Sequence, residues 1–235
     1  MDLPEALQNP FARALPVLTM LHKNGVAHAA FSELAQHPIA LRRFSEALIT
    51  SENETARKLA GYSLGYLDGV GPEEFDGMLK LEISRAKLGG PTEEQNAQST
   101  VEDLVFSAVR LIKDGRGPEA GLAFLERIVT DVVEERRYWN SSSYAMASLM
   151  NADNERYQDL FQKWSRRIEG PPPEHESNPN FETEREWRDF IKDGTTNQIF
   201  EMLTWEEEEA AKMKLRPDGR QVLDDLIQAL EAVAA

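Results

Sequence analysis

An all-α fold is the class this sequence predicts, and three observations predict it. Apolar residues recur at the three- and four-residue spacing of helix faces along nearly the whole chain. No segment sustains the alternating pattern of β-branched residues that a half-buried strand needs. A six-residue phrase also occurs twice, Asp68-Gly69-Val70-Gly71-Pro72-Glu73 and Asp114-Gly115-Arg116-Gly117-Pro118-Glu119, 46 positions apart and each time between helix-like segments. Gly25, Gly71 and Gly117 fall on the same 46-residue grid. The expected architecture is a helical repeat, α-solenoid-like, of stacked antiparallel helix pairs with a C-terminal helical cap.

The first stretch is the least regular. Helices are expected over 10–23, 26–36 and 38–49, punctuated by Gly25 and Pro38, with Pro16 bending or starting the first. The next helix begins after Ser51, where Ser51 and Glu54 have the spacing of a capping box, and buries Leu59, Tyr62, Ser63, Tyr66 and Leu67. Asp68-Gly69 ends it. Pro72 then suits the first turn of a helix, where a missing N–H costs nothing, and Phe75, Met78, Leu79, Ile83 and Ala86 form its buried stripe. Gly89-Gly90-Pro91 and the polar run to Ser99 read as a loop or loosely helical connection. The cycle then repeats, with Val101, Leu104, Val105, Ala108 and Ile112 before the second turn and Leu122, Leu125, Ile128, Val129 and Val132 after it.

Two further amphipathic pieces follow Ser141-Ser142-Ser143 and Asn151-Ala152-Asp153, the second carrying Tyr157, Leu160, Phe161, Trp164 and Ile168. Gly170-Pro171-Pro172-Pro173 is the clearest break, because consecutive prolines cannot continue a helix. The chain thus divides into a helical-repeat region over 1–170, a Pro-rich loop or linker over 171–181, and an acidic helical region over 182–235 packed on the repeats. That last region reads as helices at 182–192, 196–214 and 217–234.

The 46-residue period of the turn phrase and its flanking stripes, over residues 10 to 135, resembles the units of HEAT and armadillo-like repeat proteins, which run to roughly 40–47 residues. The resemblance implies a curved array of helices whose inner surface serves as a partner groove.

Charge narrows the partner. Of the formal −15, residues 1–50 contribute 4 cations against 4 carboxylates, 51–100 contribute 5 against 9, 101–170 contribute 10 against 12, and 171–235 contribute 7 against 16. An acidic surface repels phosphate backbones and anionic lipid, so neither nucleic acid nor membrane is expected as a partner, and a basic protein is. No stretch has the roughly 18–20 apolar residues of a membrane span and no basic, apolar leader is seen, so a cytoplasmic location is expected. The absence of cysteine excludes disulfides, thiolate catalysis and cysteine-ligated metal.

No catalytic, cofactor or metal residue is assigned. The Gly-x-Gly pairs follow no strand and lead to no Gly-Lys-Ser/Thr, so they read as turns. His22, His28 and His37 cluster in sequence but not on one helical face, and they and His175 read as surface or interface histidines. Glu186-Trp187-Arg188-Asp189 has the spacing of half an acidic metal motif seen in all-α nucleotide pyrophosphohydrolases, without the Glu-x-x-Glu partner upstream. Ser141 to Ser143 have no base nearby in sequence, and capping explains them. In Glu206-Glu207-Glu208-Glu209, Lys212 lies four after Glu208 and three after Glu209, the pattern of a solvated, salt-bridged face.

Every tyrosine and tryptophan lies beyond residue 60, and such side chains serve as interface anchors when partly exposed. Partner-binding residues are therefore expected among Trp139, Tyr144, Trp187, Trp205, Glu206, Glu207, Glu208 and Glu209. The resulting reading is a non-enzymatic protein-binding module, whether scaffold, adaptor or immunity-type inhibitor. The alternative is an all-α hydrolase or metal-dependent enzyme whose site is assembled from dispersed carboxylates and histidines.

Overall fold

The computed structural model describes residues 4–134, 137, 139–168, 195–212 and 215–233. The expected 171–181 linker, the 182–192 helix with Trp187 and the 186–189 acidic motif, His175 and Tyr138 lie outside the described residues. Among those described, all regular structure is helical. The helices are α1 (Glu5–Lys23), α2 (His28–Leu34), α3 (Pro38–Ile49), α4 (Glu54–Leu64), α5 (Pro72–Gly89), α6 (Pro91–Lys113), α7 (Pro118–Val133), α8 (Ser142–Ala152), α9 (Asn154–Ile168), α10 (Thr195–Lys212) and α11 (Pro217–Ala232).

Five of these helices open with proline at the first turn: α3, α5, α6, α7 and α11. There the ring's fixed φ is already helical and its missing N–H has no intrahelical acceptor. The two copies of the repeated phrase share a left-handed glycine and a helix-starting proline but not a helix end: α6 runs to Lys113, whereas α4, expected to run to Asp68, stops at Leu64. Gly69 and Gly115 sit at φ 66° and 67°, where a side chain would be strained, and the prolines three residues on start α5 and α7. Gly25, at φ 67°, plays the part of Gly69 and Gly115, not that of Gly71 and Gly117, which have negative φ. The glycine grid of 46 therefore mixes two roles. Like Gly115, Gly25 closes a Schellman motif, with Gly25 N donating to His22 O (3.0 Å) and Val26 N to Leu21 O (3.0 Å).

Other expectations move at helix ends. The N-cap of α4 is Asn53, whose Oδ1 accepts from Ala56 N (3.1 Å), while Ser51 Oγ accepts from Asn53 N in the turn before it. Ser51 and Glu54 thus make no capping box. The polar run 92–99, expected as a loop or a loosely helical connection, is helical and forms the first part of α6: Gly90 breaks the chain at φ 75°, and burial begins only at Ala97. Composition there reflects exposure, not loop structure. α1 starts at Glu5 and runs through both Pro10 and Pro16.

Helices α4, α5, α6 and α7 form the central stack, α4 packing on α6 and α5 on both α6 and α7. The approach of α4 to α6 is close. Ser107 Oγ donates to Gly61 O (2.8 Å) and to Tyr62 O (3.0 Å), and a Cβ on Gly65 would stand 3.1 Å from Ser107 Cα. Phe75 stacks on Phe124 between α5 and α7, with ring centroids 4.7 Å apart. On one flank α3 packs on α4, α1 packs on α4, and α11 closes over α1 and α3 through Leu223, Leu226, Ile227 and Leu230. On the other, α8 and α9 follow α7, and Trp164 Nε1 donates to the buried Ser142 Oγ (3.3 Å). α10 lies against α8, α2 and α6.

Candidate functional site

A buried polar cluster forms where α2 meets α4 and α6 of the central stack and α10 covers them. Its centre is Arg110, on the buried side of α6 and 1% exposed. Gly65 makes room for it, since a Cβ there would come within 3.2 Å of Arg110 Cδ. The guanidinium lies over two rings, 4.7 Å from the Tyr66 centroid and 5.9 Å from that of Tyr62. Such faces attract a cation, more strongly where water is excluded.

The counter-charge comes from far along the chain. Arg110 Nη2 donates to Glu206 Oε2 (2.7 Å), and Arg110 Nη1 reaches Glu207 Oε1 (3.3 Å). Lys113 Nζ, one turn beyond Arg110 on α6, donates to both Glu207 oxygens at 2.8 and 2.9 Å. Tyr62 Oη completes the pocket by donating to Glu206 Oε1. Two cations of the body thus meet two consecutive carboxylates of α10.

A chain of hydroxyl and imidazole groups extends behind. Tyr62 Oη and Tyr66 Oη are 2.8 Å apart, Tyr66 Oη is 2.9 Å from His28 Nδ1, and His28 Nε2 is 2.9 Å from Ser32 Oγ. Arg110 Nη1, which has only hydrogens to offer, is 3.0 Å from the same Nδ1. Nδ1 therefore presents its lone pair, and the proton of a neutral ring sits on Nε2, directed at Ser32. Burial first, and the Arg110 charge second, lower the His28 pKa to about 4, so the ring is neutral near pH 7. Burial pushes both tyrosines up, further for neighbours to Glu206, and their hydroxyls keep their protons as donors. Burial opposes the charge on Arg110, but the oxygens of Tyr66, Tyr62, Glu206 and Glu207 outweigh it and hold its pKa above the ordinary value.

At the edge of the cluster His22 Nε2 pairs with Asp103 Oδ1 (2.9 Å), and its ring meets that of Tyr62 edge-on. Burial lowers the His22 pKa, yet the hydrogen bond and charge of Asp103, with Glu206 beyond, raise it on balance. Arg116, from the second repeated turn, donates to the carbonyls of Tyr66 (2.9 Å) and Gly65 (2.8 Å), fixing the end of α4 against the end of α6.

The residues expected at a partner surface are thereby dispersed. Glu206 and Glu207 face inward onto Arg110 and Lys113; only Glu208, exposed, and Glu209, paired with Lys212 (2.8 Å), keep the solvated pattern. Trp205 is 54% exposed, its ring edge resting near Gly25. Trp139 is fully buried under the Arg137 guanidinium, so its indole is no surface anchor, and Tyr144 is half-buried beside Phe106. His22 and His28 enter the cluster, while His37 is on the surface with Glu231 (2.9 Å). Arg110 carried no sequence signal beyond a charge on the apolar stripe of α6. Its position one residue from Val109 and two from Ala108 and Ile112 was the clue available.

As chemistry, the arrangement is a carboxylate receptor: a guanidinium fork, an ammonium and a phenol converge on one pair of carboxylates, with aromatic faces holding the guanidinium in place. No group of three or more potential metal ligands occurs among the described residues, and none of their helices is long and apolar enough to cross a membrane. Comparisons with protein-family models, with curated proteins and with solved structures find no match to this chain.

Proposed function

We propose that this chain is a non-enzymatic protein-binding module, an α-solenoid-like stack of antiparallel helix pairs capped by α10 and α11, that receives a basic protein partner on the outer face of α10. The observation that carries the reading is that face. Glu201, Trp205, Glu208 and Lys212 stand at helical spacing and are all exposed, so an indole is offered between two carboxylates. Aromatic side chains so placed are the usual anchors of an interface, and flanking charge selects the partner's sign. The stacked architecture is supported by the 46-residue shift that takes α4 onto the second half of α6 and α5 onto α7, and by the left-handed glycine and helix-starting proline that both connections share. Arg116 ties these turns side by side, so exposed Asp68, Glu73, Asp114 and Glu119 add negative charge along one edge.

The test is capture of partners from source lysate on the full chain at low and moderate salt. One stoichiometric basic protein is expected, weakened by salt and lost with Trp205→Ala or Glu208→Lys. A partner retained regardless of salt and of both substitutions would defeat the reading.

A further inference from the structure

We propose that the recess of Arg110, Lys113, Tyr62 and Tyr66 is a recognition site for an acidic peptide segment of a partner protein presenting two adjacent carboxylates, and that α10 fills it in cis as a pseudo-ligand. This concerns the inner face of α10 and stands apart from the outer-face reading above.

The occupant itself defines the ligand chemistry. Glu206 takes Arg110 Nη2 and Tyr62 Oη, and Glu207 takes Lys113 Nζ and Arg110 Nη1. All of these donors belong to the body, and all converge on consecutive residues of one foreign helix. The body contributes its own contacts to Arg110, the Tyr62 and Tyr66 rings beneath the guanidinium and His28 Nδ1 beside it. A guanidinium so positioned, 1% exposed under its cover, costs free energy when unpaired, and the pairing carboxylate need not come from the same chain.

The hold on α10 is of the kind that a competitor can replace. Among its described side chains from 201 on, Leu203 and Ala210 are the buried ones, while Trp205 is largely exposed. Beside its packing on α8, α2 and α6, it is held by the ion pairs of Glu206 and Glu207, whose side chains keep 13% and 31% exposure. Ion pairs that water can still reach are the part of this hold that a competing pair of carboxylates exchanges for. The neighbouring α11 is seated independently on α1 and α3, so α10 can leave without dislodging it.

The experiment uses the full chain carrying E206Q and E207Q, at about 0.15 M salt so that the overall negative charge is screened beyond roughly 8 Å. The probe is a fluorescein-labelled synthetic peptide of residues 201–212, read by anisotropy. The doubly substituted chain should bind it about tenfold or more tighter than the natural chain, because the competing occupant is weakened. Adding Lys113→Ala should cut that binding at least about fivefold, and a probe with every glutamate replaced by glutamine should not bind.

Equal binding by both chains, indifference to Lys113→Ala, or displacement of the probe by inorganic phosphate as readily as by unlabelled peptide would overturn the proposal, the last by assigning a free-anion site. A second measurement needs no substitution. In the natural chain, saturating peptide should speed hydrogen exchange in α10 while leaving α11 protected; unchanged α10 exchange would overturn the proposal equally.

Discussion

Arg57 and Arg110 are both about 2% exposed at the side chain, and both meet glutamate from another helix, yet they belong to different parts of the molecule's design. Arg57 Nε pairs with Glu82 Oε1 at 2.9 Å, and Glu82, 1% exposed, also takes Arg85 at 2.8 Å. The same guanidinium donates to the carbonyls of Ser51 and Glu52, tying the turn before α4 to α5. Every partner comes from neighbouring helices or turns. Arg110 instead takes its carboxylates from α10, 96 and 97 positions away, and those carboxylates are partly exposed. Arg57 also approaches Glu93 Oε2 at 3.7 Å, a side chain 39% exposed, so neither depth of burial nor exposure of a counter-ion separates the two arginines; the origin of the close carboxylate does.

The comparison breaks most readily at Arg57. Glu82→Ala leaves a guanidinium buried without its carboxylate and should cost about 3–5 kcal/mol, a fall in Tm of roughly ten degrees by calorimetry. Burial already raises the Glu82 pKa against the pull of Arg57 and Arg85, so the ion pair is held at a desolvation cost. The double substitution Arg57→Met with Glu82→Leu should therefore recover most of the loss.

Glu206→Ala tests the other side. Water reaches the Arg110 recess once α10 shifts, so the global Tm should move by only a degree or two. Exchange of α10 amides, by contrast, should speed by about 10–100-fold, the worth of roughly 1.5–3 kcal/mol for hydrogen bonds to a charged group. Equal loss of protection throughout the chain would erase the distinction between the two arginines.

On the Arg110 side two histidines add pH effects of opposite sign. His28 has a folded pKa of about 4 against the usual 6.5, so its folded surroundings favour the neutral ring. Its contribution is whole above pH 6.5 and declines as pH falls toward 4, where only the unfolded chain takes up the proton. His22 has the opposite sign. Its raised pKa gives a contribution that is full below 6.5 and lost as pH rises through the folded value. Imidazole NMR titration should resolve one ring on each side of 6.5, and a common midpoint would contradict the geometry.

Much of the helical frame was legible in the sequence. Pro38, Pro72 and Pro118 mark helix starts, and the stripes from Phe75, Val101 and Leu122 are buried for the most part, with Ile83, Ile112 and Leu122 only partly so. Where reading failed, one residue type served two purposes. Gly25 stands on the grid of Gly71 and Gly117 but has the backbone of Gly69, and Thr92 to Gln95 are polar because they lie on a helix turn with no buried residue. The site was less legible. A run of four glutamates followed by lysine implies a solvated face, and half of it is one; that Glu206 and Glu207 turn inward depends on Arg110 and Lys113, almost a hundred residues earlier. Local spacing carries no information about such a meeting.

The packing of α11 on α1 has a consequence for how the molecule is made. Arg13 and Asp225, paired at 2.7 Å, are 212 residues apart, and Leu18 and Leu21 share a small cleft with Val222 and Leu223. At roughly 5–20 residues per second of synthesis, the outer side of α1 waits on the order of 10–40 s for its cover after it leaves the ribosome. During that interval its leucines are a natural landing place for a chaperone, and folding of the N-terminal flank waits on a helix made some two hundred residues later.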